Sequence, residues 1–351
     1  MLFAKKDHLV GLDIGSRSIK ASEIIDTKKG RSLKKFGYLE LSSGSIEDGV
    51  IKDPNAVADS IRQLFKEHGF KEQNVAVSIG GYSVIVKNIV VENQPEAQLQ
   101  ETIPFEAEQY IPFDINDVNI DFLILGESEN NPNQLNVLLI AAKKEIINEY
   151  FNLIKLAGLN PCIIDVDAFA LQNIYEANYG TADQNIALID IGASKTALNI
   201  LKEGTSVFIR DVSMGCSQIN QKISSLLDCS FEEAEKLKLE EQTERLSPGD
   251  LEEIESSVVS GWCTEIRRAL DFFYSTYPDD QIKRIILSGG GANINEFHDL
   301  LASETSIDVE TINPLQNIQY DEAHFESAFL KKIAPQAALC MGLALRRVDD
   351  K

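Results

Sequence analysis

"LVGLDIGSRSIKASEI" (Leu9–Ile24) and "IALIDIGASKTALNIL" (Ile186–Leu201) decide the reading of this chain, because they are one pattern met twice. In the first, an apolar run (Leu9, Val10, Leu12, Ile14) enters a short polar turn. A partly alternating run (Ile19, Ala21, Glu23, Ile25) leaves it, which spells two paired strands around Gly15-Ser16-Arg17-Ser18. The turn collects backbone N–H groups, two hydroxyls and two cations, Arg17 and Lys20, beside one carboxylate, Asp13. Such a set suits a polyphosphate with its magnesium ion. The second copy repeats apolar strand, Asp-Ile-Gly, small polar turn, lysine and partly alternating strand. Asp13 answers to Asp190 and Gly15 to Gly192, and Ser194 stands in its turn as Ser16 and Ser18 do in theirs. A lone Asp-x-Gly turn is commonplace. Two in the same strand–turn–strand context, one near the start of each half, point to a duplicated architecture.

A third element follows at "RIILSGGGANINEF" (Arg284–Phe297), an apolar strand, three glycines and a helical segment. A strand–glycine–helix junction lets backbone approach a flat ligand or a phosphate. The three elements make one expectation, a triphosphate clamped between two similar lobes. Gly15, Ser16, Arg17, Ser18 and Lys20 would meet it from one side, and Gly192, Ala193, Ser194 and Lys195 from the other. Asp13 and Asp190 would hold Mg2+ through water, since that ion dehydrates reluctantly. Gly289, Gly290, Gly291 and Ala292 would lie under base and sugar. A site of this kind closes by lobe rotation, so nucleotide also acts as a conformational lock.

The whole chain allows this. Its 351 residues, 44% of them hydrophobic, suffice for two domains with sizeable cores. With 55 acids against 33 bases and a formal charge of −22, its surface repels nucleic acid and anionic lipid on average. The basic run Lys28-Lys29-Gly30-Arg31 with Lys34-Lys35 reads as the solvated face of a hairpin. Five scattered cysteines, none in a C-x-x-C arrangement, read as buried thiols in a reducing compartment, and four separated histidines propose no metal cluster. The opening "MLFAKKDHLV" has no signal-peptide pattern, and no apolar run approaches the roughly 18 residues of a membrane span. The expectation is a cytoplasmic protein without direct membrane insertion.

The order of the three motifs resembles the phosphate-1, phosphate-2 and adenosine motifs of the actin, sugar kinase and Hsp70 ATPase superfamily. The resemblance implies an α/β, actin-like and ribonuclease H-like two-lobe ATPase fold, each lobe a five-stranded mixed sheet with helices, and ATP with Mg2+ as ligand. Three stretches narrow it: "LQETIPFEAEQYIPFDINDV" (Leu99–Val118), "LLIAAKKEIINEYFNLIKLAGLNPCIIDVDAFAL" (Leu138–Leu171) and the opening "MLFAKKDHLVGLDIGSRSIK". They resemble the PilM-type proteins of type IV pilus assembly, on the FtsA-like branch, nearly from end to end. Pro104-Phe105 departs from that pattern, and a proline there is expected to end or kink its helix.

Between the hairpins, "SVIVKNIVV", a helix from Leu99 to Tyr110, "VNIDFLIL" and "LNVLLIAA" read as β, α, β, β, with "GESENNPNQ" as a hairpin loop. Ile146, Ile147, Tyr150, Phe151 and Ile154 then recur at helical spacing before Gly158. This βαββα order resembles subdomain 1C, the insertion that PilM-type proteins share with FtsA. The expected division is 1–81 and 159–185 as subdomain 1A, 82–158 as 1C, 186–215 and 284–351 as 2A, and 216–283 as 2B.

Farther on, "SFEEAEKLKLE" (Ser230–Glu240) opens with a capping-box pattern and sets Glu235 and Lys238 on one helix face. Their spacing fits a surface ion pair or a ligand contact; the resemblance implies that this glutamate and lysine reach ribose and adenine. "IRRALDFFYSTYP" (Ile266–Pro278) presents a core stripe through Ile266, Leu270, Phe273 and Tyr277. Beyond "AALCMGLALRR", where FtsA carries a linker and an amphipathic membrane helix, four residues remain, so membrane attachment is expected through a partner.

The resemblance implies an ATP-binding scaffold at the inner-membrane platform of the pilus, peripheral to that membrane through its partner. That partner is the N-terminal cytoplasmic segment of PilN, docking between the core of the first lobe and the insertion, with pilus ATPases as further partners. A metabolite kinase is the alternative. Its base would come from Asp165 and Asp167 in "IIDVDAF", the candidate catalytic carboxylates, which otherwise cap the following helix. An FtsA-like filament former is a third reading. Slow ATP turnover, or none, is expected.

Overall fold

The first Asp-Ile-Gly turn joins β1 (Val10–Ile14) to β2 (Ser18–Thr27), and the chain returns antiparallel as β3 (Gly30–Glu40). In this computed structural model residues 8–47, 49–128, 131–181, 183–239, 245–348 and 350 are described. The opening Met1–Asp7, Glu129 and Asn130 in the expected hairpin loop, Glu240 at the end of the capping-box segment, and Asp349 and Lys351 lie outside them. A short hairpin, β4 (Ile46–Glu47) and β5 (Val50–Ile51), leads into α1 (Pro54–Glu67). That helix starts where it does because Asp53 accepts the Ala56 N–H at 3.0 Å and Pro54 has no N–H to satisfy. Then β6 (Asn74–Ile79) runs parallel to β1.

Next come β7 (Val84–Glu92), α2 (Glu96–Ala107), β8 (Val118–Ser128) and β9 (Asn131–Lys143), a separate antiparallel sheet in the order β7-β9-β8. The chain rejoins the first sheet through α3 (Lys144–Leu156) and β10 (Asn160–Val166), giving the order β10-β6-β1-β2-β3. After α4 (Asp167–Tyr179) the plan repeats. The strands β11 (Ile186–Ile191), β12 (Thr196–Lys202) and β13 (Thr205–Val212) form the meander. Three helices, α5 (Ser217–Leu227), α6 (Phe231–Leu239) and α7 (Pro248–Thr276), precede β14 (Arg284–Ser288). Last come α8 (Asn295–Thr305), β15 (Asp308–Thr311) and α9 (Ser327–Leu343). The second order, β13-β12-β11-β14-β15, is the first one again. The duplication read from two turns therefore extends over both sheets.

Strand alternation sorts the side chains into layers. Ala187, Ile189 and Ile191 face a core with α5, α7 and α8, while Ile186 and Leu188 face the opposite side. Val10, Leu12, Val75 and Val77 likewise pack with α1 and α3. The middle layer belongs to neither lobe alone. There α4 and α9 supply Leu171, Ile174, Ile333 and Ala337 to a core that also takes Ile24 from the first sheet and Ile286 from the second.

Two expectations change. The last helix of the expected βαββα unit, α3, meets only the Val84 and Ala142 end of the inserted sheet and takes no part in that sheet's own core of Ile89, Val91, Leu99, Ile103, Val137 and their neighbours. Its Tyr150, Leu153 and Ile154 lie in the first-lobe core. The reason is topological: β6 and β10 are parallel neighbours, so a helix must cross over that sheet face, as α8 does between β14 and β15. The helix α2 also runs through Pro104 and ends at Ala107, short of Tyr110. The carbonyl that Pro104 leaves without its helical partner is that of Gln100, an exposed residue that water reaches.

The α4–α9 layer is tight. A Cβ on Gly342 of α9 would lie 1.8 Å from the Ala170 carbonyl oxygen of α4, and one on Gly11 of β1 would lie 2.0 Å from that of Cys340. Gly342→Ala is expected to destabilise the chain by about 1–3 kcal/mol or prevent folding, read by chemical unfolding. A second expectation concerns Glu23, 2% exposed, which accepts from His8 at 2.9 Å and Lys34 at 3.0 Å. Burial alone would raise its carboxyl, but the Lys34 and His8 hydrogen bonds outweigh that and hold it below its ordinary value. Its stabilisation is therefore present at neutral pH and lost as pH falls through the depressed folded value. Glu23→Gln is expected to cost about 1.5–3 kcal/mol at pH 7, with the deficit shrinking in acid, read by unfolding at pH 7 and pH 4.

Candidate functional site

The two turns have the same internal bond. Gly15 N–H donates to the Ser18 carbonyl at 3.1 Å, and Gly192 N–H to the Lys195 carbonyl at 2.9 Å. This register sets Ser18 against Lys195. Lys20 is a strand residue opposite Asp13, and its structural counterpart is Ala197, opposite Asp190. The turns meet across the lobes, with the Ser16 and Ser194 hydroxyls 2.7 Å apart.

Beneath them the charges are unequal. Lys20, 8% exposed, donates to Asp13 at 2.9 Å. Burial disfavours its ammonium, but Asp13 and more weakly Asp190 raise its pKa, so this cation stands charged beside the two carboxylates. Asp190 takes a 2.7 Å hydrogen bond from Ser288, its neighbour on β14. Burial pushes the Asp190 carboxyl up to about 6, and Ser288 opposes the rise. Among the described residues no three His, Cys, Asp or Glu side chains converge as a metal cage. Two carboxylates suit a hydrated Mg2+ that takes its other ligands from phosphates.

The remaining expected residues divide by role. Ala193 contributes its carbonyl, which accepts the Ser217 N–H at 2.8 Å, while Gly192 accepts that of Cys216 at 3.0 Å. The first N–H groups of α5 are thus spent on the second turn. Gly289 has φ +81°, and a Cβ there would lie 2.3 Å from the Ile191 carbonyl oxygen; one on Gly291 would lie 2.5 Å from the Ile191 side chain. Ala292 is packed into the second-lobe core. Of this run only Gly290 has an open side, its nearest neighbour being Cys216 Sγ at 3.9 Å. Gly289 and Gly291 thus let the chain pass closely over the end of β11.

Glu235 and Lys238 form a 3.0 Å ion pair, and Asn220 donates to the same Glu235 oxygen. Burial works to raise Glu235, but Lys238 and Asn220 outweigh it and lower its pKa. The pair lies partly buried rather than on an open surface, with side-chain exposures of 22% and 13%. Ser230 caps α6 through the Glu233 N–H at 3.1 Å, and the Glu233 carboxylate goes to Arg245. Arg17 reaches across the cleft, its guanidinium carbon 5.4 Å from the Phe231 ring centre. Its Nε and Nη1 are buried without an acceptor among the described residues. Buried guanidinium donors beside two serine hydroxyls suit phosphate oxygens.

The two candidate catalytic carboxylates part company. Asp165 is buried and pairs with Arg346 at 3.1 Å, on the C-terminal side of the α4–α9 layer. Asp167 pairs with Lys195 of the second turn at 2.6 Å. Burial would raise Asp167, but Lys195 holds it below its ordinary value. Neither caps α4 by a side-chain hydrogen bond. Sequence reading missed Ser288, Asn220, Phe231 and Asp211. The last stands across from Ala197 as Tyr38 stands across from Lys20, so aligning whole strands rather than turns would have singled it out.

Ser288→Ala removes the donor to a half-buried carboxylate. It is expected to cost about 1–3 kcal/mol at pH 7 in chelator-treated buffer, read by unfolding.

Known proteins share this plan. The family described as type IV pilus assembly protein PilM matches residues 11–348. Among solved structures, the PilM–PilN type IV pilus biogenesis complex matches with a TM-score of 0.86 and 27% identity, over 99% of this chain and 100% of that one. MreB 5 of Spiroplasma citri bound to AMPPNP shares the fold with a TM-score of 0.52 and 13% identity, over 97% of this chain and 95% of that one. The cell division protein FtsA of Bacillus subtilis (strain 168) is 25% identical over 256 residues, which are 65% of this chain and 57% of FtsA. The chain thus spans a little over half the length of that curated relative. Two lobes with duplicated five-stranded sheets, facing Asp-Ile-Gly turns and a strand–glycine–helix junction make an actin-like ATPase fold, and the chain belongs to the type IV pilus assembly protein PilM family.

Proposed function

We propose that this chain is a nucleotide-binding scaffold of type IV pilus assembly. It takes Mg-ATP between its two Asp-Ile-Gly turns and the N-terminal cytoplasmic segment of a PilN-type membrane protein between the first-lobe core and the inserted sheet. The 2.7 Å meeting of Ser16 with Ser194 carries the nucleotide half, because it aims hydroxyls from both lobes at one point. Phosphates there would accept from these hydroxyls, from that of Ser18, and from the Arg17 Nε and Nη1, which have no acceptor among the described residues. Bound Mg2+ would neutralise phosphate charge, with Asp13 and Asp190 holding its water shell. Gly290, Glu235 and Lys238 stand where base and sugar would lie. AMPPNP in the solved MreB 5 supports a triphosphate as ligand for this fold.

The peptide half rests on the solved PilM–PilN complex. A groove beside a sheet suits an extended segment, which can add main-chain hydrogen bonds to an edge. Among the described residues no helix is long and apolar enough to cross a membrane, so a membrane-bound partner would bring this chain to the inner membrane. Of the two candidate bases, Asp165 is committed to Arg346, away from the turns, which favours a scaffold with slow turnover over a kinase.

Calorimetric titration of the N-terminal peptide of the organism's PilN-like protein, with and without Mg-ATP, tests this reading. One-to-one binding is expected, with an affinity that nucleotide changes about fivefold or more. Absence of binding in both conditions would overturn the peptide half, and an affinity indifferent to bound nucleotide would overturn the lock.

A further inference from the structure

Lys195 leaves the second turn where three parts of the molecule meet. Its ammonium lies 2.6 Å from Asp167, at the start of α4, and 3.9 Å from Asp211 on β13. The Asp211 carboxylate also accepts the backbone N–H of Gly81, on the link between β6 and β7 that opens the insertion. Gly80, on the same link, makes this approach possible. A Cβ there would stand 2.4 Å from the Asp167 carboxylate and 2.6 Å from the Lys195 ammonium. A little farther along, Asn88 of β7 donates to the Ser206 carbonyl of β13 at 3.5 Å. The inserted sheet therefore leans on the edge strand of the second lobe, at a joint that holds two carboxylates and the ammonium between them.

That ammonium belongs to a phosphate-facing turn. Ser194, the preceding residue, touches Ser16 of the other lobe, and about a third of the Lys195 side chain is open to solvent (35%). Asp167 and Asp211 are better shielded, with side-chain exposures of 17% and 15%. Burial disfavours the Lys195 ammonium, but the two carboxylates outweigh it and raise its pKa, so the side chain arrives charged at any phosphate it meets. Two partly buried carboxylates left without their cation repel each other and must separate or take up a proton.

We infer that Lys195 is shared between this joint and a bound triphosphate, so that nucleotide binding draws its ammonium from Asp167 and Asp211 and loosens the seat of the inserted sheet. The inference rests on the nucleotide reading above and gives it a direction. Asp211 is then a positioning residue: it holds Lys195 back from the phosphate and makes binding weaker than the turns alone allow. By linkage, a partner that tightens the joint weakens nucleotide, and the converse.

The test uses the full chain, with Mg-ATP titrated calorimetrically and amide hydrogen exchange followed over residues 80–92. In the wild type, bound Mg-ATP is expected to speed exchange at Gly81 and its neighbours about fivefold or more. Asp211→Asn keeps an acceptor for Gly81 but removes the competing charge, and is expected to bind Mg-ATP about fivefold tighter. Asp167→Asn is expected to shift affinity in the same direction, so the test survives should one variant misfold. Lys195→Met is expected to bind more weakly and to exchange rapidly at this segment with or without nucleotide. Equal or weaker binding by both aspartate variants, or unmoved exchange in a chain that binds nucleotide, would overturn the inference while leaving the nucleotide reading intact. A wild type that binds no Mg-ATP would overturn both.

Discussion

The closeness of α9 to its neighbours is the constraint on which the cleft depends. Gly342 lets α9 settle on the Ala170 carbonyl of α4, and Gly11 admits the Cys340 carbonyl over β1. Seated this deeply, α9 reaches the second lobe as well: the Pro335 carbonyl accepts the Gly289 N–H at 3.0 Å. Ser288, next in the chain, reaches Asp190 under the second turn at 2.7 Å and has the same Pro335 carbonyl at 3.2 Å. Backbone packing at glycine is thereby linked to the position of a half-buried carboxylate. The same layer is the common core of both lobes, so any rotation that opens the turns must shear α4 and α9 against the sheets.

On this symmetric frame the charges are not symmetric. Cross-strand register gives Asp13 a lysine and gives Asp190 an alanine, while Tyr38 and Asp211 occupy equivalent places on the third strand of each meander. The first lobe neutralises its own carboxylate. The second relies on a serine for Asp190 and sends its turn lysine outward, to Asp167 and Asp211 beside the insertion. The two similar cradles thus differ at a few strand positions, and the second sends its lysine to the joint with the inserted sheet.

The duplicated turns were legible because two hydrophobic strands flanking Asp-Ile-Gly leave little else for the chain to do, and the repeat proved to cover whole sheets. The inserted sheet was legible from its alternation. Its boundary was not, because the amphipathic pattern of α3 says that one face is buried but not against which core; only the parallel pairing of β6 with β10 decides that. Asp165 and Asp167 look equivalent two residues apart, yet a strand ends between them and their side chains serve different neighbours. The glycine run was visible as backbone that approaches something closely. That Ile191 is one thing it approaches depends on three-dimensional packing. Asp211 and Ser288 carried no local motif and emerge only from strand register.

A triphosphate is proposed to lie between the two turns. A crystal structure of the chain grown with Mg-AMPPNP measures this directly. The account requires the phosphates to stand between Gly15–Ser18 and Gly192–Lys195, with the Ser16 and Ser194 hydroxyls turned from each other to phosphate oxygens. Nucleotide seated elsewhere, with the two hydroxyls still joined, would contradict it.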